Sequence, residues 1–172
     1  LVDFSDLEHF TVRLLTDEAG APTSAAEEIA ARYAEVMVDE YQDVSEVQDL
    51  IIRAVSGGGK KCFMVGDVKQ SIYRFRLADP TIFIGKYLTF KDAGKAAEGE
   101  PRRVLLQENF RSRGEVLDAV NAVFKNIMST ELGELDYDEN AALKPGAAYC
   151  GEVPAPELLC FELPEAGNDE RP

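Results

Sequence analysis

The sequence predicts an α/β fold built on a parallel sheet with flanking helices. Two short apolar runs, Val36-Met37-Val38 and Cys62-Phe63-Met64-Val65, have the length and continuity of strands buried on both faces. A segment of helical periodicity separates them, so strand, helix and strand form a βαβ unit whose crossover is expected to be right-handed. With 45% apolar residues over 172 positions, the chain can bury a core of one medium domain or two lobes.

From the N-terminus, Phe4, Leu7, Phe10, Leu14 and Leu15 recur at helical spacing, and a loop follows around residues 20–23. Ser24 and Glu27 form a capping-box pattern that opens a second helix to about Tyr33. After the first strand, Asp43 and Glu46 repeat that pattern, and Val47, Leu50, Ile51, Ala54 and Val55 mark one helical face. Gly57-Gly58-Gly59 stops this helix before the second strand. Asp79-Pro80 places a cap and a first-turn proline ahead of a helix buried through Ile82, Phe83, Tyr87 and Phe90. Residues 91–101 are small and polar without a period and read as a linker. Beyond it, Val104-Leu105-Leu106 predicts a strand, and Ser112 with Glu115 caps a helix whose apolar face is Val116, Val120, Val123, Phe124 and Ile127. The chain then turns acidic and loop-like; Leu158 to Leu163 reads as one more strand, and residues 164–172 as a disordered tail.

The net charge is −14, yet its distribution is uneven. Residues 60–113 carry twelve of the eighteen basic residues against six acidic ones, a local +6 that leaves −20 on the remainder. A basic middle between acidic flanks permits phosphate binding there despite the acidic total. Cys62, Cys150 and Cys160 are too widely spaced for a zinc or redox motif and read as reduced thiols, Cys62 in the core. The single His9 has no second histidine as a metal partner. No run approaches the roughly 20 apolar residues of a membrane helix, and no signal-peptide pattern opens the chain, so a cytoplasmic location is expected. Leu1 in the first position leads us to expect cut ends.

Three segments carry chemistry. Val36 to Asp43 is a strand run delivering two adjacent carboxylates, Asp39 and Glu40, at its end, where open α/β sheets bind ligands. In a nucleotide triphosphatase one such carboxylate holds hydrated Mg²⁺ and the next polarises the attacking water; the alternative is a plain cap and turn. The segment from Gly66 to Arg76 runs from a strand end into Tyr73, Arg74, Phe75 and Arg76, and such interleaving suits single-stranded nucleic acid, with rings on bases and guanidinium groups on phosphates. Core aromatics with solvated arginines are the alternative. In the third, Gln107 to Arg113, an aromatic followed by arginine meets a helix start, where Phe110 could stack on a nucleobase and Arg111 reach a terminal phosphate.

In their order and spacing, DEYQD, then GDVKQSIYRFR followed by LADP, then LLQENFRSR, resemble the Walker B motif and helicase motifs III and IV of the UvrD, Rep and PcrA type of superfamily 1 DNA helicases. The opening VDFSDL is similar to the segment before Walker B in that family. The stretch Gly133 to Glu139, with Leu143-Lys144 and Gly146-Ala147, resembles the AddA branch of AddAB-type helicase/nucleases, and the likeness covers roughly residues 1–163. The resemblance implies a partial RecA-like, P-loop NTPase-type lobe at residues 1–101 and the start of a second RecA-like lobe at 102–163. It implies ATP and Mg²⁺ as cofactors, with Asp39 as the Mg²⁺ carboxylate, Glu40 as the base and Gln70 as the γ-phosphate sensor. Tyr73, Phe75 and Arg76 would face DNA, Phe110 would stack on adenine, and Arg111 would contact the γ-phosphate. Relatives often carry tryptophan where Phe75 stands and tyrosine where Phe110 stands. The implied partners are single- and double-stranded DNA and an AddB-like second protein, in a bacterial enzyme of double-strand-break repair.

No G-x-x-x-x-G-K-[ST] occurs anywhere, and Gly57-Gly58-Gly59-Lys60-Lys61 lacks its glycine spacing and its Ser or Thr. The later helicase motifs, the nuclease and the cysteine cluster of the AddA type are absent too. The reading is therefore a motor fragment, inactive alone, of a helicase with exonuclease activity in the parent. A non-catalytic DNA- or protein-binding module and a stand-alone nuclease using Asp39, Glu40 and Asp43 are its rivals.

Overall fold

The computed structural model describes residues 1–71, 77–133, 136–151 and 155–161. The chain divides into two compact units between Val104 and Leu105.

The first unit opens with helix α1, Phe4–Leu15, capped by a box in which Asp3 accepts from the Asp6 amide while Asp6 accepts from the Asp3 amide. Its Leu15 is buried, whereas Phe4, Leu7, Phe10 and Leu14 stay exposed, so most of the apolar stripe is left uncovered. Helix α2, Ser24–Arg32, is capped by Thr23 and not by Ser24. The Thr23 hydroxyl donates to the Leu14 carbonyl and accepts from the Ala26 amide, which locks the turn and fixes the helix start one residue early. Leu15, Ala26 and Ala54 form the small core of this unit, with Ile29, Ile51 and Val55 packed around it.

Strand β1, Val36–Val38, pairs in parallel with β2, Cys62–Met64, and helix α3, Glu46–Val55, connects them. The expected βαβ order is present. The strands are not buried on both faces, because Met37 and Phe63, in register, are 71% and 54% exposed. The residues that made each run look fully buried thus form a bare face. The cap of α3 also departs from expectation: Ser45 accepts from the Gln48 amide and Gln48 reaches back to the Ser45 amide. Asp43 is instead the last residue of a 3-10 turn, Tyr41–Asp43, which takes up the chain before the helix can begin. Gly57, Gly58 and Gly59 all lie at positive φ, a left-handed run that ends α3 and that β-carbons would oppose. Lys61 then donates to the carbonyls of Ala30 and Tyr33 at the open end of α2.

Helix α4, Pro80–Thr89, starts as the sequence predicts, with Asp79 accepting from the Thr81 amide and proline in the first turn. The segment read as a linker is ordered. Strands β3, Lys91–Asp92, and β4, Arg102–Arg103, pair in parallel around it, held by Lys91 to Glu100 at 2.7 Å and Arg103 to Asp92 at 2.8 Å. These charged pairs supply the closure that an apolar period would otherwise signal.

In the second unit the expected strand at Val104 to Leu106 does not form; these residues lie outside any ladder, with Leu105 and Leu106 exposed, and pairing begins later at β5, Glu108–Asn109. Helix α5, Gly114–Ile127, has Arg113 at its N-cap without a side-chain cap bond, so Ser112 and Glu115 do not make the expected box. Its packed face is centred on Leu117, 2% exposed, while Val116, Val123 and Ile127 face solvent. The cause is polar: Asn121 exchanges two hydrogen bonds with the Leu143 backbone and accepts from the Tyr137 hydroxyl, and Tyr137 stacks on Phe124 at 5.7 Å. A short helix α6, Thr130–Gly133, follows, and β6, Lys144–Pro145, pairs in parallel with β5. Residues 158–161 are not a strand, and Leu158, Leu159 and Phe161 are exposed without a partner strand among the described residues. The rest of that expected strand and the expected tail, residues 162–172, lie outside the described residues.

Candidate functional site

The site in the first unit is assembled where β1 and β2 end side by side. Continued beyond Val38 and Met64, the parallel register sets residue 39 opposite residue 65. In a regular ladder Val65 would then bond the residues flanking its partner, 38 and 40. Its amide does donate to the Val38 carbonyl at 2.9 Å, but its carbonyl accepts from Tyr41, not Glu40, also at 2.9 Å. One extra residue is thus accommodated at the strand end, as in a β-bulge, and Glu40 takes it up in the left-handed region at φ 49. The result presents both carboxylates, Asp39 and Glu40, as exposed groups at the carboxyl end of β1.

Tyr41 anchors this distortion from below. It is 1% exposed, its hydroxyl donates to Asp49 at 2.6 Å, and the Lys86 ammonium reaches the same carboxylate oxygen at 2.9 Å while lying 5.2 Å from the ring centre. Burial, and then the hydrogen bond to Asp49, pushes the Tyr41 phenol far above its usual range, so it is a fixed donor.

Gln42, also 1% exposed, joins the two strand ends. Its amide nitrogen donates to Glu40 Oε2 at 2.8 Å and its amide oxygen accepts from the Asp67 amide at 2.9 Å. Asp67 in turn caps a 3-10 turn, Val68–Gln70; its carboxylate accepts from the Lys69 amide and from Gln70 Nε2, both at 3.1 Å, and pairs with Lys69 Nζ at 2.8 Å. Gly66 permits the approach, because a β-carbon there would stand 2.6 Å from Gln42 Oε1 and 3.1 Å from the Tyr41 nitrogen. Asp39, Glu40 and Gln70 therefore belong to one hydrogen-bonded edge. Gln42 and Asp67 stand within the motifs, but sequence reasoning gives them no role, since their importance lies in partners twenty-five residues apart.

Asp39 fits a hydrated divalent cation. Its Oδ1 accepts only from the Glu40 amide among the described residues, and the carboxylate is exposed at the strand end. No cluster of three metal-ligating side chains occurs among those residues, which suits Mg²⁺, an ion that keeps most of its waters and takes one or two carboxylates.

In the second unit, Asn109 accepts from the amides of Arg111 and Ser112, a side-chain turn that leaves Phe110 65% exposed and Arg111 exposed. The β6 side holds Phe110 in place: Gly146 donates to the Asn109 carbonyl at 2.8 Å and Tyr149 donates to the Phe110 carbonyl at 2.7 Å. A β-carbon on Gly146 would lie 2.7 to 2.9 Å from three carbons of the Phe110 ring. Tyr73, Phe75 and Arg76 lie outside the described residues.

The UvrD/REP helicase N-terminal domain matches residues 1–91, which contain the whole of this strand-end site. The chain belongs to that family. It is 49% identical, over 98% of its length, to a Bacillus velezensis protein whose name makes it the AddA-type component, designated A, of an ATP-dependent helicase/nuclease. The Bacillus cereus protein of the same name is 48% identical over 96% of the chain. In each case the chain spans 14% of the relative's length. No helix among the described residues is long and apolar enough to cross a membrane.

Proposed function

We propose that this chain is the part of an AddA-type, ATP-dependent DNA helicase/nuclease that carries the water-activating carboxylate, within the Walker B half of a RecA-like lobe. One observation carries the reading: the adjacent ends of β1 and β2 bring Asp39, Glu40, Asp67 and Gln70 to a single edge through Gln42. The carboxyl ends of parallel strands are where open α/β sheets bind ligands. The family match and the similarity to the Bacillus helicase/nucleases over almost the whole chain support it.

Asp39 would hold Mg²⁺, which supplies neutralisation of phosphate charge when bound. Glu40, fixed by its left-handed backbone and by Gln42, accepts the proton of the attacking water. Gln70, one bond from Asp67, senses the terminal phosphate and passes its state to the following segment, where Tyr73, Phe75 and Arg76 meet single-stranded DNA. Phe110 stacks on the base and Arg111 stabilises the γ-phosphate. The parent, with an AddB-like partner, would use this cycle to translocate on single strands and unwind duplex DNA in break repair in the bacterial cytoplasm. The chain alone has no phosphate-cradling G-x-x-x-x-G-K-[ST] and is expected not to turn over ATP.

The test is Glu40→Gln in the full-length parent. Nucleotide affinity should stay within about twofold while DNA-stimulated turnover falls by roughly 10²-fold or more, the scale of a lost general base. Unchanged turnover would remove Glu40 from the reaction and favour a binding module without catalysis.

A further inference from the structure

We infer that Gln42 is the positioning residue of the Glu40 carboxylate, tying it to the strand end that carries Asp67 and Gln70. The inference rests on the proposed role of Glu40. Two adjacent parallel strands could each present a polar residue without any bond between them. Here a single buried amide spans the gap, 2.8 Å from Glu40 Oε2 on one side and 2.9 Å from the Asp67 amide nitrogen on the other.

The chemistry of the two partners fixes which way the amide faces. A carboxylate oxygen only accepts, so the NH₂ end must face Glu40; a backbone N–H only donates, so the oxygen must face Asp67. The flipped amide would lose both bonds and set oxygen against oxygen. Space enforces the same geometry, since Gln42 is 1% exposed and Gly66 leaves no room for a β-carbon beside its oxygen. The second NH₂ hydrogen faces Asp43 Oδ2 at 3.5 Å, a longer contact that leaves Glu40 as the principal acceptor.

An unheld glutamate at a left-handed corner would sample several rotamers, only some of them productive. Gln42 selects one. Because its other end is the Asp67 amide, any shift of the Val68–Gln70 turn reaches Glu40 through one side chain. Gln42 touches neither water nor phosphate in this role; it acts through Glu40.

A double-mutant cycle in the full-length parent tests this. Gln42→Met removes both bonds at similar volume, and Gln42→Glu keeps the acceptor for Asp67 while losing the donor to Glu40. Each should lower the kcat of DNA-stimulated ATP hydrolysis by about 10- to 100-fold, the range expected when a catalytic group is misplaced. The KM for ATP should stay within about twofold. On a Glu40→Gln background, each substitution should lower kcat by less than about twofold further, because the group it positions is gone. A Gln42 loss of full size on that background, or wild-type turnover in either variant, overturns the inference. Failure of Glu40→Gln itself to slow turnover would instead overturn the reading of Glu40. If Gln42→Met proves unfolded by circular dichroism, Gln42→Glu decides alone, since it retains the side-chain volume and the Asp67 bond.

Discussion

Asp49→Ala should destabilise the first unit by about 3–4 kcal/mol, far more than a surface carboxylate would. Asp49 is 7% exposed and one of its oxygens serves two donors, the Tyr41 hydroxyl at 2.6 Å and Lys86 Nζ at 2.9 Å; Arg53 lies 3.9 Å from the other oxygen. Removing the carboxylate strands a hydroxyl on a fully buried ring, a loss of about 1–3 kcal/mol. It also deprives Lys86 of its partner, and breaking a buried pair costs about 3–5 kcal/mol. The Lys86 side chain is 20% exposed and its ammonium can turn to water, which lowers the second contribution and sets the total near the figure given. Tyr41→Phe removes only the hydroxyl and leaves the Asp49 to Lys86 pair, so about 1–2 kcal/mol is expected. Urea titration followed by far-ultraviolet circular dichroism reads both. With a slope of roughly 1–3 kcal/mol per molar, Asp49→Ala should lower the midpoint by about 1 M or more. A loss below about 1 kcal/mol, or equal losses for the two variants, would refute the shared-carboxylate account of how Tyr41 is held.

Gly146→Ala in the full-length parent should push the Phe110 ring from its seat and weaken binding of a fluorescent adenine nucleotide by about 5- to 150-fold, the range of one lost stack. On a Phe110→Ala background the same change should do little, and an equal further loss there would separate Gly146 from the ring. Burial raises the Cys62 thiol above its usual range, so at pH 8 it should be alkylated more slowly than the exposed Cys150 and Cys160, as peptide mass mapping of a time course would show. Faster labelling of Cys62 would contradict its packed position beside β1.

Much of the first unit is legible in the sequence because its signals are local and redundant. Each strand run is bounded by turn residues, the glycine triplet can only be a stop, and Asp79-Pro80 states a helix start twice. The caps differ by one or two residues from expectation where several Ser, Thr and Asp stand together, as at Thr23-Ser24 and Asp43 to Ser45, because a cap is chosen by backbone geometry and not by residue type. Val104 to Leu106 and Leu158 to Phe161 have strand composition without a strand, since an apolar run becomes a strand only when a neighbour completes the ladder. The packed face of α5 turns on Asn121, whose hydrogen bonds to residues 137 and 143 no hydrophobic period records. At the site, the positions of Asp39 and Glu40 follow from the end of a strand run. The bridge through Gln42 does not, because it depends on register between β1 and β2.

The left-handed Glu40 connects the buried network to the site chemistry. A non-glycine residue in that region costs on the order of 1–2 kcal/mol and persists only where its surroundings over-determine it. Three backbone constraints do so here: Glu40 N–H donates to its neighbour Asp39, its carbonyl accepts from Asp43 at 2.9 Å, and Tyr41 N–H is claimed by Val65. The last of these holds only while Tyr41 stays seated, and its seat is the Asp49 to Lys86 pair beneath the ring. Were Tyr41 released, Glu40 could relax into the ordinary ladder position opposite the β2 end, and its side chain would leave the reach of Gln42. Asp49 thus acts on Glu40 without touching it, by fixing the residue that forces the extra step in the strand. The order of dependence runs from a buried ion pair to a buried ring, from the ring to a left-handed backbone, and from that backbone to the direction of one carboxylate.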